Sequence, residues 1–154
     1  MLPLDNTDKE MLRLLQKNAH YTTKELSEKL NLSATPVYER HKRLEREGYI
    51  EKYVAILNKE KLGKRLMVFC HVKLKQHERG MGDKFVQSMH ELMEVMECYN
   101  ISGEYDFMLK VVVEDMPKYQ DFIMNKLTMI ENIGSTQSVF VMGEIKTGTE
   151  YLIG

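Results

Sequence analysis

The hydrophobic period of the chain changes once, and that change divides it. Up to about Gly48 the apolar residues recur at helical spacing; beyond it they alternate or form short runs of strand length. A chain patterned this way cannot be a single helical bundle or a single sandwich. The change is followed by Asn58-Lys-Glu-Lys-Leu-Gly-Lys64, polar and interrupted by Gly63, as a connecting segment is. Charge shifts there too: residues 1–63 carry 12 basic and 10 acidic side chains, whereas residues 64–154 carry 10 and 13. The two parts are therefore expected to meet different partners. We read 1–50 as one domain, 51–64 as a strand and linker, and 65–154 as a second domain.

The first part reads as three helices. Leu4, Met11, Leu12 and Leu15 form one stripe, which predicts a helix over about 8–17 with Asp5 or Thr7 capping its free amides. Thr22-Thr-Lys-Glu25 is a capping box that starts a second helix, with Leu26 and Leu30 facing the core. Asn31, a residue that tolerates the left-handed conformation, ends it. Ser33 is placed as the cap of a third helix of about 13 residues, with Pro36 in its first turn and Gly48 as its stop. Ser27, Asn31 and Val37 then supply a small residue, a turn former and a β-branched core residue at the offsets of a helix-turn-helix.

Plotted at about 100° per residue, helix three has Val37, His41, Leu44 and Gly48 on its inner side. Thr35, Glu39, Lys42 and Arg46 lie opposite, Tyr38 and Arg43 flank them, and Arg40 sits at the border. Lys and Arg can neutralise phosphate or donate to guanine, while Thr and Tyr can bond to base edges or to the backbone. With Thr22, Thr23 and Ser33, these exposed positions are the expected DNA contacts. The same side chains could form a solvated face, partly neutralised by Glu39 and Glu45; their place on the second helix of a well-spaced helix-turn-helix favours DNA. His41 is expected to be a hydrogen-bonded core histidine. Tyr49 to Leu57 looks like a strand leading away from the helices.

The second part reads as strand, helix, strand, strand, helix, strand. Leu66, Val68, Cys70, Val72 and Leu74 alternate with Met67, Phe69 and His71. Met81, Phe85, Met89 and Leu92 have helical spacing, as do Met116, Tyr119, Ile123, Leu127 and Ile130, where Asp115 caps and Pro117 occupies the first turn. Val95–Ile101 and Tyr105–Val113 are two strands joined through Ser102-Gly103-Glu104, and a last strand covers about Ser135–Glu144. This order is ferredoxin-like, with an antiparallel sheet and both helices on one face. The fold class is thus α+β, a three-helix winged-type helix-turn-helix domain followed by a ferredoxin-like domain. The other sheet face, expected to hold Met67, Phe69, Met108, Val112, Phe140 and Met142, is too apolar to leave in water and predicts at least a dimer.

These residues resemble the Lrp/AsnC family of transcription regulators over nearly the whole chain. The resemblance rests on Leu4-Asp5 with Asp8 opening the first helix, on Leu32-Ser33-x-x-Pro36-Val37-x-x-Arg40 leading into Lys42-Arg43-Leu44-Glu45, and on Gly48-Tyr49-Ile50. In the second part Ser102-Gly103-Glu104-Tyr105-Asp106 matches the family's G-x-x-D loop through Gly103 and Asp106. His41 departs from the isoleucine usual at that position. The resemblance implies double-stranded DNA as a partner, dimers that assemble into tetramers or octamers, and a small amino acid bound where dimers meet. Gly103, Glu104, Tyr105 and Asp106 would form that effector site, with Ser135 and Thr136 approaching from a neighbouring subunit. A free amino acid needs amide donors for its carboxylate and acceptors for its ammonium, and a glycine-containing tip with Asp106 beside it offers both. Read as an ordinary turn, the same loop would need Gly103 only for a positive φ, with Asp106 facing solvent.

Catalytic chemistry finds no support. His20, His41, His71, His77 and His90 form no H-E-x-x-H, and no phosphate-cradling G-x-x-x-x-G-K-[ST] occurs; Gly80 and Gly82 are too few for one. Glu94/Glu97 and Glu114/Asp115 read as turn and cap residues rather than a catalytic pair. Cys70 and Cys98, with no C-x-x-C, are expected to be buried free thiols in a reducing, cytoplasmic setting, and neither a metal site nor a cofactor is expected. The twelve methionines read as flexible core filler. No apolar run is long enough to cross a bilayer. The competing reading is a ferredoxin-like small-molecule-binding or enzymatic module whose N-terminal helices bind protein, a reading that the near-neutral charge of −1 favours.

Overall fold

A computed structural model of the chain describes residues 3–76 and 81–154. His77, Gly80 and the side chain of Met81 lie outside them. The chain divides into two compact units: residues up to Ile56 together with Lys146–Gly154, and Leu57–Ile145. The segment Lys146–Gly154 thus groups with the helices and not with the sheet unit to which its position in sequence had given it.

The helical unit contains α1 (Asn6–Lys17), α2 (Thr23–Leu30) and α3 (Ala34–Arg46). Helix α1 starts two residues earlier than its apolar stripe implies, because Asp5 and Asp8 form a reciprocal capping box. Thr22 and Glu25 cap α2 in the same way, and Asn31 closes it in the left-handed region at φ 52°. Ser33 occupies the N-cap position of α3, but its hydroxyl makes no capping bond, which corrects the role expected of it. Met11, Leu12, Leu15, Leu26, Val37 and Leu44 pack as the core of the unit, with Ile153 among the residues at its edge. Residues 51–58 form no strand. A strand needs a neighbour to satisfy its amides and carbonyls, and none of the described strands pairs with this segment; its Val54 and Ile56 stand 67% and 77% exposed.

The second unit is built from β1 (Leu66–Leu74), α4 (Met81–Glu91), β2 (Val95–Asn100), β3 (Phe107–Val113), α5 (Met116–Asn125) and β4 (Ile133–Phe140). The strands form one antiparallel sheet in the order β2-β3-β1-β4, so each β-α-β crossover skips the strand between, as in a ferredoxin-like fold. Val68, Cys70, Val72 and Leu74 of β1 and Phe107, Leu109, Val111 and Val113 of β3 face the helices, where Phe85, Met89, Tyr119 and Phe122 cover them. Burial of this set from water is the main stabilising term of the unit.

Register fixes which side chains share the opposite face. Phe69 pairs with Lys110 and Val139, and His71 pairs with Met108 and Gln137, so these residues lie with Met67 and Val112 away from the helices. Phe140 does not. It is opposite the core residue Val68 and its ring lies 5.5 Å from that of Tyr119, which places it on the helix side. Met142 falls beyond β4 and is 98% exposed. The expected dimer face therefore loses both residues, and Val139 takes the place of Phe140. The run Val139-Phe-Val-Met142 is apolar at every position, so its parity could not be read from sequence. Met67 and Val112 are already buried within the chain, which leaves a smaller apolar surface on this face than expected. Cys70 is buried, whereas Cys98, on edge strand β2, is exposed against expectation.

Candidate DNA-reading helix and effector loop

Thr35, Tyr38, Glu39, Lys42 and Arg46 are all exposed on α3. Among the described residues Lys42 pairs with Glu45 of the same helix, Nζ to Oε2 2.7 Å, and Arg46 has no ion pair. This is the chemistry a recognition helix needs: cations for phosphate and hydroxyls for base edges. Thr23 is half-buried, and the hydroxyl of exposed Thr22 is committed to the α2 cap, with Glu25 N donating to it at 3.2 Å.

Arg40 and Arg43 behave differently. Both turn toward α1, where the fully buried Asp8 receives Arg40 Nη1 at 2.8 Å and Arg43 Nη2 at 2.5 Å. Arg40 also donates to Asp5 at 2.5 Å, and the Asp5 amide donates to Asp8 at 3.1 Å. The Asp8 backbone amide, with Arg40, holds the Asp5 carboxyl below its usual range; in turn Asp5 and Asp8 hold Arg40 charged to higher pH, and Asp8 does the same for Arg43. The two arginines expected among the DNA contacts thus join α3 to α1. In sequence Asp5 and Asp8 mark the start of α1; the further signal is that the 3.6-residue period places the second acid among apolar residues.

His41 is hydrogen-bonded, as expected, but to a residue beyond the helix. Its Nε2 lies 2.6 Å from the Tyr53 hydroxyl, which donates to Glu45 Oε1 at 3.2 Å. Partial burial and the Glu45 charge push the Tyr53 phenol up to about 12.

In the second unit, residues 101–106 connect β2 to β3. Gly103 adopts φ 122°, where a side chain would be strained although open space surrounds its α-carbon. Asp106 is not a solvent-facing carboxylate. Its amide donates to the Val72 carbonyl at 2.9 Å and its Oδ2 accepts from the Leu74 amide at 2.7 Å, next to the register shift between Lys73 and Leu74. Its carbonyl accepts from Ile101 N, also at 2.9 Å. The Tyr105 ring stacks on His71, 5.5 Å away, and Glu104 is exposed. Ser135 pairs with Lys73 and Thr136 with Val72 on the other side of β1. Loop and β4 start therefore meet at one end of the sheet within a single chain, roughly two strand spacings, about 10 Å, apart. Adjacent residues of a strand point to opposite faces, so Ser135 and Thr136 cannot both line one face of a site.

A separate cleft of about 340 Å³ between α4 and the segment after α5 is lined by Lys84, Phe85, Ser88, Met129, Ile130, Glu131 and Asn132, none of them among the expected site residues. Among the described residues no group of three or more metal-ligating side chains converges, and no helix is long and apolar enough to cross a membrane.

A helix-turn-helix with a basic, hydroxyl-bearing outer helix, carried by a chain whose other unit is a ferredoxin-like sheet, defines a DNA-binding regulator. Comparison with known proteins fixes the family. Residues 4–51 match the winged helix-turn-helix DNA-binding model, and residues 67–151 match the Lrp/AsnC ligand binding domain. The leucine-responsive regulatory proteins of Klebsiella pneumoniae and Escherichia coli are each 35% identical to it over 150 residues, 97% of this chain and 92% of theirs. Among solved structures, a transcriptional regulator from Neisseria meningitidis in complex with L-Met superposes with a TM-score of 0.93 at 33% identity. An AsnC family transcriptional regulator from Agrobacterium tumefaciens does so at 0.92 and 33%; both comparisons cover 97% of each chain. The chain belongs to the Lrp/AsnC family of transcription regulators, and its function is DNA-binding control of transcription rather than catalysis.

Proposed function

We propose that the chain is an amino-acid-responsive regulator that reads the major groove with Thr35, Tyr38, Glu39, Lys42 and Arg46, supported by Thr22, Thr23 and Ser33. The observation that carries this reading is the division of labour on α3: these side chains are exposed while Arg40 and Arg43 are drawn to Asp8. The effector is a small amino acid. Its site is the Gly103–Asp106 loop with Ser135 or Thr136 of an adjoining subunit, supported by the open backbone at Gly103 and by the neighbouring protein's L-Met complex. Asp106 serves it as a carboxylate that can pair with the ammonium of the amino acid.

Assembly is a homodimer formed through the sheet face of Phe69, Met108 and Val139, with dimers joining further into tetramers or octamers, in the cytoplasm. The DNA-binding domain is residues 1–50 completed by Lys146–Gly154, and the oligomerisation and effector domain begins at residue 65 and ends before Lys146. The test is a titration of a duplex selected by the protein from a random library, with and without each amino acid. Binding that steepens as salt falls, and that one amino acid shifts, supports the reading; binding that ignores salt refutes the DNA-contact assignment.

A further inference from the structure

Arg40 and Arg43 stand at the border of the reading face, each with part of its side chain exposed, 30% and 22%. Unpaired, guanidiniums so placed would bind any phosphate within reach, adding affinity that carries no sequence information. Paired, their charge is met by Asp8 and Asp5 instead. Asp8 Oδ1 and Oδ2 each take one arginine and Asp5 Oδ2 takes a second bond from Arg40, so two carboxylates neutralise two guanidiniums at the edge of α3. An apolar contact would join α1 to α3 as well or better, because replacing a buried ion cluster by packed hydrocarbon is often neutral or stabilising. What the carboxylates add is control of charge.

We propose that Asp8, backed by Asp5, is a specificity-determining positioning residue that withholds Arg40 and Arg43 from DNA phosphates. It lowers sequence-independent affinity and leaves discrimination to the exposed side chains of α3. The burial of Asp8 makes the restraint persistent, since releasing either arginine exposes an incompletely paired buried charge. It fits a chain with almost no net charge, −1 overall: discrimination then comes from limiting the non-specific term rather than from maximising attraction. The inference rests on the reading of α3 as the DNA-contacting helix.

The experiment measures fluorescence anisotropy of the full-length chain on a random-sequence duplex and on a duplex it has selected, across a salt series. Wild type is compared with Asp8→Asn, Asp5→Asn and Glu10→Gln, and circular dichroism confirms each fold. Asp8→Asn is expected to bind the random duplex roughly ten-fold tighter at low salt, with a log K against log salt slope steeper by about one unit per released guanidinium. The ratio of selected to random affinity falls. Asp5→Asn keeps a competent N-cap and weakens only the second hold on Arg40, so it moves both readouts the same way by a smaller step, and it decides the question if Asp8→Asn does not fold. Glu10→Gln removes an equal charge from the same helix, but from a carboxylate paired with Arg13, and should leave the slope unchanged. Unchanged slopes in both aspartate variants overturn the proposal, as does an equal gain from Glu10→Gln, which would mark bulk charge as the cause. A wild type that binds no duplex removes the α3 reading and the proposal together; wild-type binding with unaltered variants removes the proposal alone.

Discussion

Arg13 grips the backbone carbonyl of Ile153 with two donors, Nε at 3.2 Å and Nη2 at 2.7 Å, and so fastens a segment 140 residues away to the first helix of the DNA-binding unit. One turn on, Gln16 exchanges two bonds with the backbone of Tyr151, donating to its carbonyl at 3.2 Å and accepting from its amide at 2.6 Å. Ile153 adds apolar contact at the edge of the helical core. The helical unit is therefore completed by chain that lies beyond the sheet unit in sequence. Truncation after Thr149 should destabilise the helical unit by about 1 kcal/mol, the net scale of a partly exposed hydrogen bond to a charged donor. For a unit of this size that is roughly a 4–8 °C fall in melting temperature. Arg13→Ala should cost less, because the truncation also removes the two Gln16–Tyr151 bonds and the Ile153 packing, and the two changes together should cost little more than the truncation alone. Calorimetry of the single and combined variants measures this; full additivity would show that the contact does not form.

The Asp8 clamp revises what Arg43 does. Arg43→Ala is expected to loosen the packing of α1 on α3 while leaving the salt dependence of DNA binding almost unchanged, whereas Arg46→Ala should reduce that dependence by about one unit and weaken binding to all sequences alike. Thr35→Ala should blur sequence preference. Asp8→Ala, which leaves two arginines without their buried partner, should cost about 3 kcal/mol. Gel shifts at several salt concentrations together with urea denaturation separate these effects.

Tyr53 gives the helical unit an alkaline limit. Its phenol titrates at about 12 when folded, against about 10 in an unfolded chain. Between those values the folded state holds a proton that the unfolded state has lost, so stability is fully present below pH ~10 and declines as pH rises toward ~12. Tyr53→Phe should flatten that decline and leave stability at neutral pH lower by only the His41 and Glu45 hydrogen bonds. Denaturation midpoints across this range, wild type against variant, test the assignment.

In the proposed dimer the contact is made by Phe69, Met108 and Val139, and Phe69→Glu should yield monomers or aggregates and weaken DNA binding by losing the second half-site. Phe140→Glu should act differently, lowering the stability of the sheet unit by losing the ring contact with Tyr119 while leaving assembly intact. Light scattering and circular dichroism distinguish the two outcomes. A dimeric, folded Phe69→Glu protein would place the interface elsewhere.

Most elements could be read from the sequence because their signals are local. Thr22 with Glu25, Asn31 and Asp115 each specify a cap or a stop through bonds made within a few residues, and the alternation in β1 gave its inward face directly. What escaped was set by distant chain. Whether Phe140 or Val139 faces the helices depends on the register of β4 against β1, which an unbroken apolar run does not encode. Tyr49 to Leu57 has strand-like composition but no partner strand. At the DNA face, helical geometry correctly exposed Thr35, Lys42 and Arg46, yet could not show that Asp8 of another helix would draw in Arg40 and Arg43. At the loop, the glycine requirement at Gly103 was legible, while the bond from Leu74 to Asp106 joins residues that only the fold brings together.

That bond shapes the test of the effector site. Asp106→Ala removes the acceptor for the Leu74 amide as well as the proposed ligand contact, so it should lower stability with or without effector. Gly103→Val, whose Cβ would lie in open space but whose backbone would be strained at φ 122°, perturbs the loop more selectively.

The central claim is that this chain couples amino-acid binding to DNA binding, and the most direct measurement is anisotropy of its selected duplex titrated in the presence of each amino acid, for wild type and Gly103→Val. We predict that at least one small amino acid changes wild-type affinity by roughly five-fold or more, the lower range of an allosteric coupling, and that Gly103→Val binds the duplex with unchanged effector-free affinity but does not respond. No change in wild-type affinity with any amino acid, or a full response in Gly103→Val, would contradict the account.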